Sequence, residues 1–400
     1  MRNGIIDKRI LPLTIGGLGI GTTEFAIMGL LPDIARSFNI SIPEAGHFIS
    51  AYAIGVVLGA PLLVGYSVKF PPKKVLMAMM ALFTVFNGLS ALAPGYTALM
   101  LLRFLSGLPH GAFFGVGAVV ASRIAAKGKE ARYISLMFTG LTVANLAMVP
   151  LVTYIGHMLH WRWYFAVVSG IGLLTLLSLR VWLPAMDGKQ EAANITEELH
   201  FLKNKQSWYV LLITAIGFGG LFTWFSYITP LMTEVSGVSQ GNMAYVMVLA
   251  GGGMVVGNLL GGYLADRMGA ARTSALLLFL MMLALTGVFF FSGMMIPSLI
   301  LTFLSGGLSM SVAAPVNIMM MRAAPGAEMM AAAFMQAAFN IANALGAYLG
   351  GIPLEYGLPY TYPSLVGVGM AFIGLVIALR YTTRFGQRAV LPDRQRVLMH

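Results

Sequence analysis

The 400-residue chain contains no cysteine, which excludes disulfide bridges and thiolate metal sites. Charge is scarce as well. Asp, Glu, Lys and Arg make up 10% of the residues, against roughly 25% in soluble domains. No stretch matches the phosphate-cradling G-x-x-x-x-G-K-[ST] loop, so the sequence carries no sign of an ATP-driven pump. H-E-x-x-H is missing too, and with it a signature of zinc hydrolases. Neither an enzyme, a metal site nor a cofactor is expected.

What is present is apolar. Hydrophobic residues make up 58% of the chain, with 47 glycines and 28 methionines. A helix needs about 20 apolar residues to cross the hydrocarbon core. Twelve such segments lie near 10–32, 46–67, 75–93, 97–121, 134–156, 161–184, 208–232, 240–263, 272–293, 295–319, 329–351 and 360–381. Arg2, Lys8 and Arg9 precede the first, as in a signal peptide. That segment is longer than an h-region of about 7–15 residues, and no small-residue cleavage site follows it. It is expected to be the first membrane span of an all-α, multi-pass protein.

The net charge of +11 is a topology signal. With the N-terminus inside, 22 of the 25 lysines and arginines fall on the inner side; Arg36 and Arg162 are outside and Arg103 lies within a span. This positive-inside pattern predicts cytoplasmic N- and C-termini. It also favours contact with anionic lipid, and it leaves no basis for a nucleic-acid partner.

The halves repeat. At a shift of 198, Pro32 maps to Pro230, Ser41 to Ser239, Gly55 to Gly253, Gly59 to Gly257 and Asn145 to Asn343. "FLSG" at 104–107 recurs at 303–306. Six spans per half keep the same orientation, so two six-helix bundles are expected, related by a pseudo-two-fold axis along the membrane normal. Such repeats place a substrate site near the midplane between them. The expected organisation is a bundle at 1–184, a cytoplasmic linker at 185–206, a bundle at 207–385 and a tail at 386–400. Within the linker, "TEELHFLKN" predicts a short amphipathic helix.

"GGYLADRMG", Gly261 to Gly269, resembles the G-x-L-A-D-R-x-G signature of the major facilitator superfamily. Asp266 can face a helix N-terminus, Arg267 can pair with a carboxylate, and Gly269 permits a tight turn, so the three are read as a conformational latch. The matching place in the first half, "GYSVKFPPKK", has Val68 for the aspartate and Pro71 for the glycine. "RFLSGLPHGAFFGVG" resembles the family's fourth-span motif, with Gly107, Gly111 and Gly115 as a small-residue stripe. Together with "TEFAIMGLLPDIA", "AGHFISAYAIGVVLGAP" and "AAFNIANALGAY", these stretches resemble the twelve-span drug/proton antiporter family, in particular its arabinose (sugar) efflux permease-like group. The likeness runs from about residue 10 to 385. One departure is in the fifth span, where Val149, Thr153 and Tyr154 replace the glycines of the antiporter element. The resemblance implies a monomer in a bacterial-type inner membrane that exports a small sugar-like or drug-like molecule against protons.

Glu24 is the one formal charge between Ile10 and Pro32. It lies ~12 Å, and Arg103 ~9 Å, from the outer end of its span at ~1.5 Å per residue. Each buried charge costs at least ~2.5–3.5 kcal/mol, and opposite signs offset part of that. A static ion pair and a proton-exchange site both fit. His110, two turns beyond Arg103, fits a proton relay or a histidine bonded to a backbone carbonyl. Asn145, Asn317, Gln336, Asn340 and Asn343 fit hydrogen bonding to substrate or between helices. Trp224 and Tyr227 fit stacking on a ligand ring or an interfacial aromatic belt. Three functions stay open on these residues: a proton-coupled exporter, an uncoupled facilitator of a small polar solute, and a membrane receptor or scaffold that does not transport.

Overall fold

The computed structural model describes residues 7–67, 69–186 and 199–385. Among them there is helix and no strand, as expected where no water satisfies backbone groups and each segment must bond itself. The membrane helices are α1 (Leu11–Gly29), α2 (Ile42–Ser67), α3 (Pro72–Ala91), α4 (Tyr96–Ile124), α5 (Arg132–Met158), α6 (Arg162–Trp182), α7 (Lys205–Phe225), α8 (Gln240–Met268), α9 (Ala270–Phe291), α10 (Met295–Ala323), α11 (Glu328–Glu355) and α12 (Tyr362–Phe385). Eleven are long and apolar enough to cross a membrane. α11 is 28 residues long, and Gln336, Asn340 and Asn343 dilute its apolar stretch.

Local chemistry sets the ends. A two-turn helix, Leu31–Phe38, stops at Asn39, whose φ of 53° is left-handed. α2 then starts on a capping box: the Ser41 amide donates to Glu44 Oε2 at 2.7 Å and the Glu44 amide to Ser41 Oγ at 3.3 Å. Interfacial turns like this carry several helices past the apolar windows, which is why α2 begins at Ile42 and α11 ends at Glu355. Three π turns widen the helical ladder, at Ala144–Met148 in α5, at Ile213–Gly217 in α7 and at Leu231–Val235 beyond it. Of the expected amphipathic linker helix, Thr196–Glu198 lie outside the described residues, and Leu199–Lys203 form a 3-10 turn instead. The Asn204 side chain then accepts from the Gln206 amide and caps α7. Val68 and the tail from 386 lie outside the described residues.

The repeat is visible in backbone packing. α2 packs on α4 and α3 on α6; α8 packs on α10 and α9 on α12 in the same way. A side chain at Gly55 would overlap the Phe104 carbonyl, and one at Gly253 the Phe303 carbonyl. Gly59 lies likewise on the Leu108 carbonyl and Gly257 on that of Gly307. In the expected stripe, Gly107 abuts the Tyr52 backbone, Gly111 faces Ala60 and Gly115 faces Val64. Two six-helix bundles result, each tight because glycine lets backbones touch. They meet along two seams, α2 with α11 and α5 with α8.

Candidate functional site

Among the described residues, buried charge is confined to the first bundle. Glu24 on α1, Arg103 on α4 and His110 on α4 are all at or below 6% exposure. Arg103 does not meet Glu24 in an ion pair. The three ion pairs among the described residues are Arg9–Asp7, Arg36–Asp33 and His157–Asp33. The guanidinium instead donates from Nη1 to Thr23 Oγ1 at 3.1 Å and from Nε to the Phe48 carbonyl at 3.3 Å. It also lies over the Tyr52 ring, 4.3 Å from its centroid. An aromatic face and two acceptors offset part of its desolvation. Nη2 is buried without a hydrogen-bond partner.

Thr23 ties this corner together. Its hydroxyl donates to Asn87 Oδ1 on α3 at 2.7 Å, and Tyr164 of α6 donates to its carbonyl at 2.5 Å. His110 shares a hydrogen bond with the Tyr52 hydroxyl, Nδ1 to oxygen 3.1 Å. A backbone-bonded histidine is thereby replaced by a side-chain pair, and Tyr52 links His110 to Arg103.

Glu24 looks across the bundle interface. Its Oε1 accepts from Asn343 Nδ2 of α11 at 3.4 Å. Asn340, one turn earlier, donates to the Gln336 carbonyl at 3.1 Å. The Oδ1 atoms of Asn145, Asn340 and Asn343 are buried and unpartnered. Gln336 is half-buried, with its Cβ in contact range of Gly111. Asn145 sits on the π turn of α5, where its carbonyl presses on Gly251 of α8. These amides therefore line the seams between bundles. Asn317 does not join them: it is half-buried and bonds the Ala313 carbonyl of its own helix.

Trp224 and Tyr227 are buried too, so neither belongs to an exposed aromatic belt. The Tyr227 hydroxyl donates to the Ala347 carbonyl at 2.7 Å, and the chain breaks from helix around it. Trp224 packs on Phe225.

The two membrane faces differ. Six hydrogen bonds join the bundles among the described residues, and all lie at the midplane or toward the face opposite the basic side. Thr229 donates to the Met28 and Gly29 carbonyls, and Ser50 to that of Ala344. Gln240 of α8 donates to Asp33 at 3.0 Å, and Asp33 pairs with His157 at 2.7 Å. Sequence reasoning missed this triad because its members are polar residues at helix ends, where polarity is ordinary. On the basic side, Asp266 is exposed and makes no hydrogen bond or ion pair among the described residues. Arg267 lies over the Tyr263 ring at 4.6 Å, and Gly269 turns with φ 83°. Lys73, from the matching stretch of the first half, donates to the Arg180 and Leu183 carbonyls at the end of α6.

A sequence model described as Major Facilitator Superfamily matches residues 13–329. The chain belongs to that superfamily. AraJ of Escherichia coli (strain K12) is 40% identical over 377 residues, which cover 94% of this chain and 95% of AraJ. A Helicobacter pylori (strain HPAG1) protein named "Probable sugar efflux transporter" is 29% identical over 384 residues, covering 94% and 95%. The crystal structure of a D-xylose-proton symporter matches with a TM-score of 0.78, covering 97% of this chain and 98% of its own; at 17% identity that likeness concerns the fold. This major facilitator is a multi-pass membrane transporter, not an enzyme. The paired bundles and the glycine seams are the superfamily architecture anticipated from "GGYLADRMG" and the fourth-span motif.

Proposed function

We propose that the chain exports a small sugar-like or drug-like molecule by proton antiport, rocking its bundles about a midplane site. Glu24 is the proton site, with Arg103 and His110 setting its surroundings. Asn145, Gln336, Asn340 and Asn343 contact substrate along the seams. Trp224, Tyr227 and Asn317 take part only in another conformation. Asp266, Arg267 and Gly269 close the basic side when the opposite face opens. The protein works as a monomer in a bacterial-type inner membrane, with residues 1–184 and 207–385 as the moving bodies and both termini in the cytoplasm.

One observation carries the reading: a carboxyl buried in the membrane takes its hydrogen bond from the other bundle. Rocking breaks that bond and changes what surrounds Glu24. A carboxyl whose surroundings change during the cycle can load a proton on one side and release it on the other. The name of the Helicobacter pylori relative supports a sugar-like cargo. Uncoupled facilitation is the second reading, favoured by Thr153, whose side chain fills the space beside Gly29 where the antiporter element has glycine.

The test is flux in proteoliposomes, with wild type beside Glu24→Gln. The substitution keeps the shape and removes the charge change. Uphill export and substrate-induced proton movement are expected to vanish, while exchange down a gradient persists. Coupled export at the wild-type rate by Glu24→Gln would remove Glu24 from the proton path.

A further inference from the structure

The outer surface of the second bundle carries a recess of about 410 Å³ between α9 and α12. Two helical stripes form it. Arg272, Ala275, Leu276 and Phe279 repeat at i, i+3, i+4 and i+7 on α9. Leu375, Leu379 and Thr382 repeat at i, i+4 and i+7 on α12. Both helices have their basic-side ends at the same level, so Arg272 and Thr382 lie at one mouth and Phe279 and Leu375 about 10 Å deeper, at ~1.5 Å per residue. Beyond the mouth the lining is carbon. Thr382 bonds its own helix through the Ala378 carbonyl. Arg272 is exposed and makes no hydrogen bond or ion pair among the described residues.

We propose that this recess holds an anionic phospholipid of the basic-side leaflet, with its phosphate on Arg272 and an acyl chain along the two stripes. Size and charge together select this occupant. The groove lies between two helical stripes, and its one charged group is the guanidinium at the mouth. A single acyl chain is narrow enough, and its polar end emerges where the one guanidinium stands. The depth matches as well: Arg272 is two residues inside the end of α9, at the level where headgroups meet hydrocarbon. Arginine is suited to the contact because its planar fork donates to two phosphate oxygens. A bound chain here would be a permanent wall of the second bundle, on the side facing away from the seams.

The experiment is native mass spectrometry of delipidated protein titrated with phosphatidylglycerol or phosphatidylethanolamine. Wild type is expected to retain one phosphatidylglycerol more tightly than any phosphatidylethanolamine. Arg272→Gln is expected to weaken that adduct about fivefold, the effect of one basic side chain on an anionic lipid. Leu375→Trp, which fills the groove without touching the charge, is expected to remove the adduct. Arg272→Lys should restore part of it, and Arg180→Gln, elsewhere on the basic side, should leave it unchanged. Equal retention of the two lipids by wild type would overturn the proposal. So would retention of the adduct in both Arg272→Gln and Leu375→Trp, each shown folded by its elution on size exclusion.

Discussion

The two bundles share a scaffold and divide the chemistry. Gly55 and Gly59 of α2 lie on carbonyls of α4 as Gly253 and Gly257 of α8 lie on carbonyls of α10. The buried charges do not repeat. Carried across by the shifts of 198 and 199, Glu24 becomes Phe222, Arg103 becomes Thr302 and His110 becomes Ser309. Of the described buried residues in the second bundle, none bears a formal charge. Packing is therefore the property that both copies keep, and, among the described residues, buried formal charge belongs to one. The second bundle contributes amides and hydroxyls, which can answer a charge without being one.

Substitutions can break this comparison at its strongest point first. Gly59→Leu and Gly257→Leu each push a side chain into a neighbouring carbonyl, and backbone gives way poorly. Overpacking of this kind costs about 1–3 kcal/mol or more. Both variants should lose folded, monodisperse protein to a similar degree, while Gly241→Leu, which meets open space, should match wild type in thermal unfolding. Tolerance of one and not the other would show that the scaffolds are not equivalent.

The unshared chemistry comes next. Arg103→Thr gives the first bundle the residue that the second carries at the aligned place. It strips Thr23, the Phe48 carbonyl and the Tyr52 ring of their cation. A charge-assisted bond is worth about 1.5–3 kcal/mol, so proton-coupled flux should fall by roughly 10- to 100-fold. Thr302→Val, whose hydroxyl bonds its own helix at the Ser298 carbonyl, should change flux little. Comparable losses in both would move the chemistry off the first bundle.

The smallest effect concerns how each bundle is entered. Asp7 receives Arg9 at 2.6 Å and Tyr133 of α5 at 2.9 Å. The Arg9 hydrogen bond holds its carboxyl down at about 2, below the usual range near 3.9. A lowered value means that the pair stabilises the folded chain above pH ~4 and loses that effect as pH falls toward 2. The pair is partly exposed, so Asp7→Asn should cost less than about 1 kcal/mol at pH 7, a cost that shrinks as pH falls through 2, read from unfolding midpoints. The second bundle is entered through Asn204, a neutral cap that also donates to the Ala323 carbonyl. Asn204→Ala should cost about 1 kcal/mol with no pH dependence.

Much of this architecture is legible from residue pattern because the bilayer leaves few alternatives. Apolar length gives the helices, and the spacing of Gly107, Gly111 and Gly115 gives a close seam. The isolation of Glu24 marks a site. Its partner is not legible, because α11 offers three intramembrane amides and only the crossing of α1 and α11 selects Asn343. Depth alone brings Glu24 and Arg103 to one level, yet side-chain direction takes Arg103 to Thr23 and Tyr52. The Asp33–His157–Gln240 contact joins three helix ends far apart in the chain, and nothing local announces it.

The one-sided placement of the six inter-bundle hydrogen bonds has a consequence for the resting equilibrium. Opening that face breaks them, and the basic side offers no described hydrogen bond between bundles in return. If their net worth is only about 2 kcal/mol, the resting population favours this conformation by roughly 30-fold. Any arrangement that opens this face must recover that difference from new contacts on the basic side or from a bound solute.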